Sequence, residues 1–276
     1  MNIKKWTNYA LKKLNLIDNA KLDIEVLLSF ILNKPRSWII CFDDYCLTKK
    51  QINNLNFCLK RRFLGEPLAY IINKKEFWSL SFFVSRKTLI PRPDSELLVE
   101  ISLKKIKNNI WNILDLGTGC GNLAISIAYN KKNCFVTGID YSEEIIKIAK
   151  YNSIKLNVKN IKFFCSNWFS KINKKKYNMI VSNPPYISNK EYYFLKKNLV
   201  FEPFTSLVSK KNGLFDIIYI IKNSRKYLKK NGWLFIEHSY NQKCIVYKLF
   251  KKYCYINIKT YCDYNNLYRI TIGQFL

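Results

Sequence analysis

Histidine is almost missing from this sequence: His238 is the only one, and no serine or cysteine pattern gives it the partners of a catalytic triad. It reads as structural, and the chain offers no histidine base for nucleophilic hydrolysis. Acidic residues are also scarce, with 19 Asp and Glu against 47 Lys and Arg and a formal net charge of +28. Dense positive charge attracts phosphate. The lysines are nevertheless spread along the whole chain, as Lys49-Lys50, Lys104-Lys105, Lys174-Lys175-Lys176, Lys210-Lys211 and Lys229-Lys230. That is the pattern compositional drift leaves on solvated faces, so direct nucleic-acid binding is permitted but not required. No Cys-x-x-Cys pair occurs among nine cysteines, an odd number, so neither a disulfide framework nor a zinc site is expected, and no metal is assigned. Apolar runs of membrane-spanning length are absent, and Met1 to Leu14 alternates lysine with apolar residues, unlike a signal peptide. Reduced thiols and no membrane segment together imply a cytoplasmic protein, expected as a monomer. No internal repeat is visible.

What is present is ample core material, with 49% hydrophobic and 16% aromatic residues over 276 positions. This length allows one or two domains, and the patterning favours two. Apolar residues at helical spacing, Trp6, Tyr9, Ala10 and Leu14, then Leu22, Val26, Leu27, Phe30 and Ile31, then Ile52, Leu55, Leu59 and Phe63, predict a small helical domain over 1–70. The aromatic, partly alternating run Phe77 to Val84, followed by the rigid Pro91-Arg92-Pro93, predicts a connecting β-hairpin over 71–93. From a helix beginning near Asp94 or Ser95, strands and helices alternate over 94–276. Strands are predicted at 113–116, 136–140, 161–164, 179–182 and 233–236, with helices at 123–129, 143–157 and 214–228. The fold class is therefore α/β, a Rossmann-like parallel sheet that binds its ligand at the carboxyl ends of the strands. Residues 255–260 and 268–272 lack a helix between them and predict an antiparallel edge pair.

Asp115-Leu116-Gly117-Thr118-Gly119-Cys120-Gly121 stands where a strand gives way to a helix, and its glycines allow close approach of a ligand to the backbone. Asp140 ends the next strand and can accept hydrogen bonds from both hydroxyls of a ribose. The loop lacks the Gly-x-Gly-x-x-Gly of dinucleotide folds, and Asp115 would repel a pyrophosphate. Carboxylate and carbonyl oxygens instead favour a sulfonium cofactor with its own amino group, S-adenosyl-L-methionine.

Asn183-Pro184-Pro185-Tyr186 follows the strand at 179–182, at the same sheet edge. Two prolines stiffen the loop and leave its carbonyls as acceptors. An amide or exocyclic amine nitrogen is a poor nucleophile because its lone pair is delocalised. The Asn183 side-chain oxygen and the Pro184 carbonyl can each accept one N–H of an NH2 group, aiming the nitrogen at a methyl group, while Tyr186 can stack on the planar group. In-line transfer needs the nitrogen roughly 3 to 3.5 Å from the methyl carbon, so positioning carries much of the catalysis. The tetrapeptide alone leaves glutamine and adenine level as acceptors.

These features, with Gly65-Glu66-Pro67-Leu68-Ala69-Tyr70-Ile71, Glu76-Phe77-Trp78, Leu89-Ile90-Pro91-Arg92-Pro93-Asp94, Asn167-Trp168-Phe169, Glu202-Pro203 and Glu237-His238, give a chain that resembles bacterial protein-(glutamine-N5) methyltransferases over nearly its whole length. Members of that family modify the Gly-Gly-Gln glutamine of peptide chain release factors and so support translation termination. The resemblance implies a class I S-adenosylmethionine-dependent methyltransferase fold. It implies that Gly117, Thr118, Gly119, Cys120, Gly121, Asp140, Asn167, Trp168 and Asn183 hold the cofactor. Asn183, Pro184, Pro185 and Tyr186 would grip the glutamine, Arg92 would face the release factor, and the helical domain would dock on it. Asn167 replaces the family's usual aspartate, which implies weaker cofactor binding, and the stretch after His238 lacks a glycine common in the family. Alternative readings are a glutamine methyltransferase of a ribosomal protein, an adenine-N6 methyltransferase of nucleic acid, and a non-catalytic module. The intact glycines, Asp140, Asn183 and Tyr186 argue against the last.

Overall fold

In the computed structural model, which describes every residue except Leu16, Asn108, Lys174 and Lys175 and the side chains of Lys197 and Asn198, the chain divides between Asn73 and Lys74. Two lysines of the Lys174-Lys175-Lys176 run thus lie outside the described residues. The smaller unit is helical: α1 (Ile3–Lys13), α2 (Ala20–Leu32), α3 (Arg36–Cys41), α4 (Lys49–Phe63) and α5 (Leu68–Ile71). Asn2 caps α1 by accepting from the Lys5 amide, and Thr48 with Gln51 forms a reciprocal capping box on α4. Trp6, Ala10 and Leu14 are buried, at the expected helical spacing, and the Trp6 indole donates to Asn56 across 2.9 Å. Helix α2 corrects its predicted face: Ile24, Leu27 and Leu28 point inward, while Leu22 and Phe30 are exposed. Phe63 and Tyr9 are exposed as well. Each large apolar side chain buried here contributes about 1.5–3 kcal/mol.

The larger unit opens with a hairpin of β1 (Lys74–Phe77) and β2 (Leu80–Phe83), so of the segment 71–93 set apart as a linker the residues from Lys74 on fall in this unit and 71–73 in the smaller one. Its two turn residues, Trp78 and Ser79, both have positive φ, and the Trp78 amide is anchored on Glu96 at 2.8 Å. Next come α6 (Glu96–Lys105), β3 (Asn112–Leu116), α7 (Asn122–Asn130), β4 (Phe135–Asp140), α8 (Glu143–Lys155), β5 (Ile161–Cys165) and β6 (Tyr177–Ser182). They are followed by α9 (Asn189–Leu199), α10 (Phe204–Leu207), α11 (Lys210–Gly213), α12 (Phe215–Ser224), β7 (Leu228–Glu237), α13 (Lys243–Lys252), β8 (Ile256–Cys262) and β9 (Tyr268–Gln274). The predicted helix at 214–228 stops at Ser224, and Leu228 already belongs to β7.

The sheet order is β5-β4-β3-β6-β7-β9-β8, with the first five strands parallel and β9 antiparallel to both of its neighbours. β3, β4 and β6 carry buried, mostly apolar residues because helices cover both faces. One core cluster, around Leu116, Ile139, Ile180, Ile217 and Leu234, packs α12 and α13 against the sheet. Among the described residues no helix is long and apolar enough to cross a membrane, and no group of three or more His, Cys, Asp or Glu residues could hold a metal. His238 is buried, with its ring nitrogens on Thr271 Oγ1 and the Ser239 carbonyl at 2.8 Å each, and burial pushes its pKa down to about 4. It is a structural residue.

Candidate active site

The strand register brings three loops together. Leu116 at the end of β3 aligns with Ile139 of β4 on one side and with Ser182 of β6 on the other. The next residues, Gly117, Asp140 and Asn183, therefore emerge side by side at the carboxyl edge. The chain reverses its progress across the sheet here, between β3 and β6, which is where such sheets open a crevice.

The loop after β3 is stapled to β4. The Thr118 amide donates to the Ile139 carbonyl at 2.8 Å, the Gly119 amide to Asp140 Oδ2 at 2.9 Å, and the Tyr141 amide to Asp140 Oδ1 at 2.8 Å. Thr118 Oγ1 donates to Asp115 Oδ2 at 2.7 Å. Gly119 has φ +56, and a Cβ added there would meet nothing within 4 Å, so it offers bare backbone to open space. Asn152 of α8 donates to the Cys120 carbonyl at 2.9 Å and also exchanges two hydrogen bonds with the backbone of Phe83 in β2. Burial raises the pKa of Asp140, against the pull of the Gly119, Tyr141 and Ser142 amides. Burial also pushes Asp115 up to about 7, with the Thr118 hydroxyl opposing and the charge of Asp140 adding to the rise.

A cavity of about 320 Å3 lies over this edge, within the range of small-ligand sites. Of the predicted residues, Gly117, Gly119, Asp140, Asn167, Trp168, Asn183 and Pro185 line it. A smaller pocket of about 40 Å3 shares Gly117, Gly119 and Asn183 and adds Arg92, Thr118 and Cys120. Gly121, Pro184 and Tyr186 line neither. Gly121 is instead packed tightly, since a Cβ there would lie 2.9 Å from Ile125 Cδ1. Tyr186 is held through its carbonyl, which accepts from Gln242 Nε2 at 3.0 Å, and burial drives its hydroxyl pKa upward. Arg92 pairs with the buried Glu202, whose other oxygen accepts from the Ile90 amide at 3.2 Å.

Leu89, Tyr141, Ser166, Thr205, Ser206 and Asp216 also line the main cavity, and sequence reasoning missed them. The hydroxyls of Tyr141 and Thr205 meet at 2.8 Å, and Asp216 is fixed by Ser209 Oγ at 2.6 Å. Ser95 was missed as well. The Asn183 side-chain Nδ2 donates to Ser95 Oγ at 3.0 Å, and Ser95 Oγ donates to Glu237 Oε2 at 2.7 Å. No Lys or Arg lines the main cavity, while Asp140 and Asp216 do. In a chain of net charge +28 that selection suits a cationic ligand better than a phosphate.

Comparison with known proteins agrees with this architecture. Residues 3–72 match the PrmC N-terminal domain, and residues 107–271 match a methyltransferase domain. The release factor glutamine methyltransferase of Buchnera aphidicola subsp. Acyrthosiphon pisum (strain APS) is 54% identical over 274 residues, covering 99% of each chain. That of Escherichia coli (strain K12) is 37% identical over 275 residues, covering 100% of this chain and 99% of its own. Among solved structures, a methyltransferase from Pyrococcus furiosus matches with a TM-score of 0.55 at 19% identity, over 78% of this chain and 96% of its own, a likeness of fold. The chain, with its helical N-terminal unit and its methyltransferase sheet, belongs to the release factor glutamine methyltransferase family.

Proposed function

We propose that this protein transfers the methyl group of S-adenosylmethionine to the side-chain nitrogen of the glutamine in the Gly-Gly-Gln motif of peptide chain release factors. The observation that carries this reading is the convergence of Asn183 and Pro185 with Gly119, Asp140 and Trp168 on one cavity that no basic side chain enters.

The residues fit the cofactor. Gly117 and Gly119 leave the backbone open to it, Asp140 accepts from its ribose, and Trp168 and Asn167 flank its adenine. The Trp168 ring already lies beside Gly117, where an added Cβ would be 3.6 Å from Trp168 Cζ3. Thr118, Cys120 and Gly121 hold the loop in shape. When bound, S-adenosylmethionine supplies an electrophilic methyl group on a sulfonium centre.

The chain's own part in the transfer is orientation. Asn183 Oδ1 and the Pro184 carbonyl accept the two N–H groups of the substrate amide and hold electron density on its nitrogen. The paired prolines keep those acceptors fixed. Stacking of the amide on the Tyr186 ring is proposed from the tetrapeptide alone, since that ring lines neither cavity. Arg92, steadied by Glu202, meets the release factor at the smaller pocket, and the helical unit docks on the factor.

The test is to offer purified release factor, ribosomes and a DNA duplex together with S-adenosylmethionine and to map methylation by mass spectrometry. Methyl transfer to the release-factor glutamine is expected. Transfer only to a ribosomal protein or to adenine would overturn the proposal.

A further inference from the structure

An asparagine amide has an acceptor end and a donor end of nearly the same shape, so a half-turn of its last bond exchanges them. Only the oxygen can receive an N–H from a substrate. In this site the choice between the two ends is made by groups outside the Asn183-to-Tyr186 loop. Asn183 Nδ2 donates to Ser95 Oγ, and the single proton of that hydroxyl is committed to Glu237 Oε2. Ser95 can therefore only accept from Asn183, and the nitrogen end is captured. The carboxyl group that sets this polarity, through Oε2 as the acceptor of the Ser95 proton, is itself braced. Arg269 reaches Asp94 at 3.1 Å and Asp263 at 2.8 Å, and both Asp94 and Arg269 act electrostatically on Glu237. Ser95 closes the short turn Pro93–Ser95, which begins at the rigid Pro91-Arg92-Pro93 segment. Ser95 and Glu237 are each only 1% exposed, so water does not compete for these bonds.

Resting on the methyl-transfer reading above, we propose that Ser95 and Glu237 are positioning residues that lock the Asn183 amide with its nitrogen turned away and its oxygen toward the cavity. Ser95 lines the smaller pocket but, 1% exposed and committed to Asn183 and Glu237, acts on the substrate amide through Asn183. Without the Ser95 hydroxyl only the Asn183 interaction with Glu237 itself is left to hold the nitrogen end, and the reversed orientation it then allows presents a donor where the substrate also has a donor.

Three measurements on the full-length protein test this. Ser95→Ala is expected to lower kcat for release-factor methylation roughly 10- to 100-fold, the scale of a misplaced catalytic group. Cofactor affinity should stay within about threefold, because Ser95 makes no bond to the loop after β3. Ser95→Thr, which keeps the hydroxyl, should recover most of the rate. Independently of any substrate, the Asn183 side-chain NH2 protons should be protected from solvent exchange in the intact protein by NMR and lose that protection in Ser95→Ala. If Ser95→Ala does not fold, Glu237→Gln, which keeps an acceptor oxygen, should retain the protection and Glu237→Met should lose it. Wild-type kcat in Ser95→Ala, a Ser95→Thr variant as slow as Ser95→Ala, or an Asn183 amide whose exchange ignores all these changes would overturn the proposal. An intact protein that methylates no release factor would instead sink the functional reading, while the exchange experiment still decides the lock.

Discussion

The Gly119 amide donates to Asp140 Oδ2 across 2.9 Å, tying the glycine loop after β3 to the end of β4. One carboxylate thereby shapes the loop and faces the cavity. Asp140→Ala removes the loop's staple and the ribose acceptor together. Hydrogen bonds to a charged group contribute about 1.5–3 kcal/mol, so cofactor affinity should fall roughly 10- to 100-fold or more by calorimetry. An unchanged dissociation constant would remove Asp140 from the cofactor site.

Asn183 lines both the main cavity and the smaller pocket. Its amide oxygen is assigned to the substrate and not to the loop, so Asn183→Ala should abolish methyl transfer while cofactor binding stays within about tenfold. Turnover at the wild-type rate would refute the assigned role.

Gly213 supports the reactive loop from behind. It has φ +81, and a Cβ there would sit 2.0 Å from the Tyr186 carbonyl oxygen, which already accepts from Gln242. Backbone cannot yield as a side chain can, so Gly213→Ala should cost on the order of 3 kcal/mol in thermal unfolding. It should slow methyl transfer more than it weakens cofactor binding, because the glycine loop lies on other strands. A variant as stable and active as the parent would contradict the packing described.

Two buried carboxyls give the cofactor-free protein a pH signature. Asp115 and Glu237 are each pushed up to about 7 by burial. The native state thus holds protons that the unfolded chain releases near pH 4, and this stability is present at low pH and lost as pH rises through 7. His238, pushed down to about 4, works in the opposite sense, an effect that fades as pH rises through its ordinary value of 6.5. Between pH 6.5 and 8 the carboxyls outweigh it, and unfolding free energy should fall by roughly 1 to 2 kcal/mol. Glu237→Gln should about halve that slope. A stability that rises over this interval would show that the two groups are ionised throughout.

Much of the sheet could be read in advance because buried parallel strands leave short apolar runs, and β3, β4 and β6 each end at a residue with evident chemistry, Leu116 before Gly117, then Asp140, then Ser182 before Asn183. The start of β7 was hidden. Tyr227 and Leu228 continue the apolar spacing of α12, and the Lys229-Lys230-Asn231 stretch, with Asn231 at φ +63, does not look like a strand. The face of α2 was misjudged because apolar residues surround that helix, and periodicity cannot choose among Leu22, Ile24, Leu27, Leu28 and Phe30. At the site, the glycine loop and the tetrapeptide were legible as contiguous motifs. Thr205 and Ser206 reach the cavity from the one-turn helix α10 and Asp216 from the first turn of α12, none with a sequence signature, and Ser95 meets Glu237 across 142 positions of sequence. Such contacts are made by the fold, and local pattern does not carry them.

The most direct measurement is methyl transfer from labelled S-adenosylmethionine to a release factor, run beside the same factor with its Gly-Gly-Gln glutamine replaced. The intact factor should take up label on that glutamine, and the replaced one should take up none. Equal labelling of both factors, or labelling of neither by a protein that binds the cofactor, would contradict glutamine as the methyl acceptor.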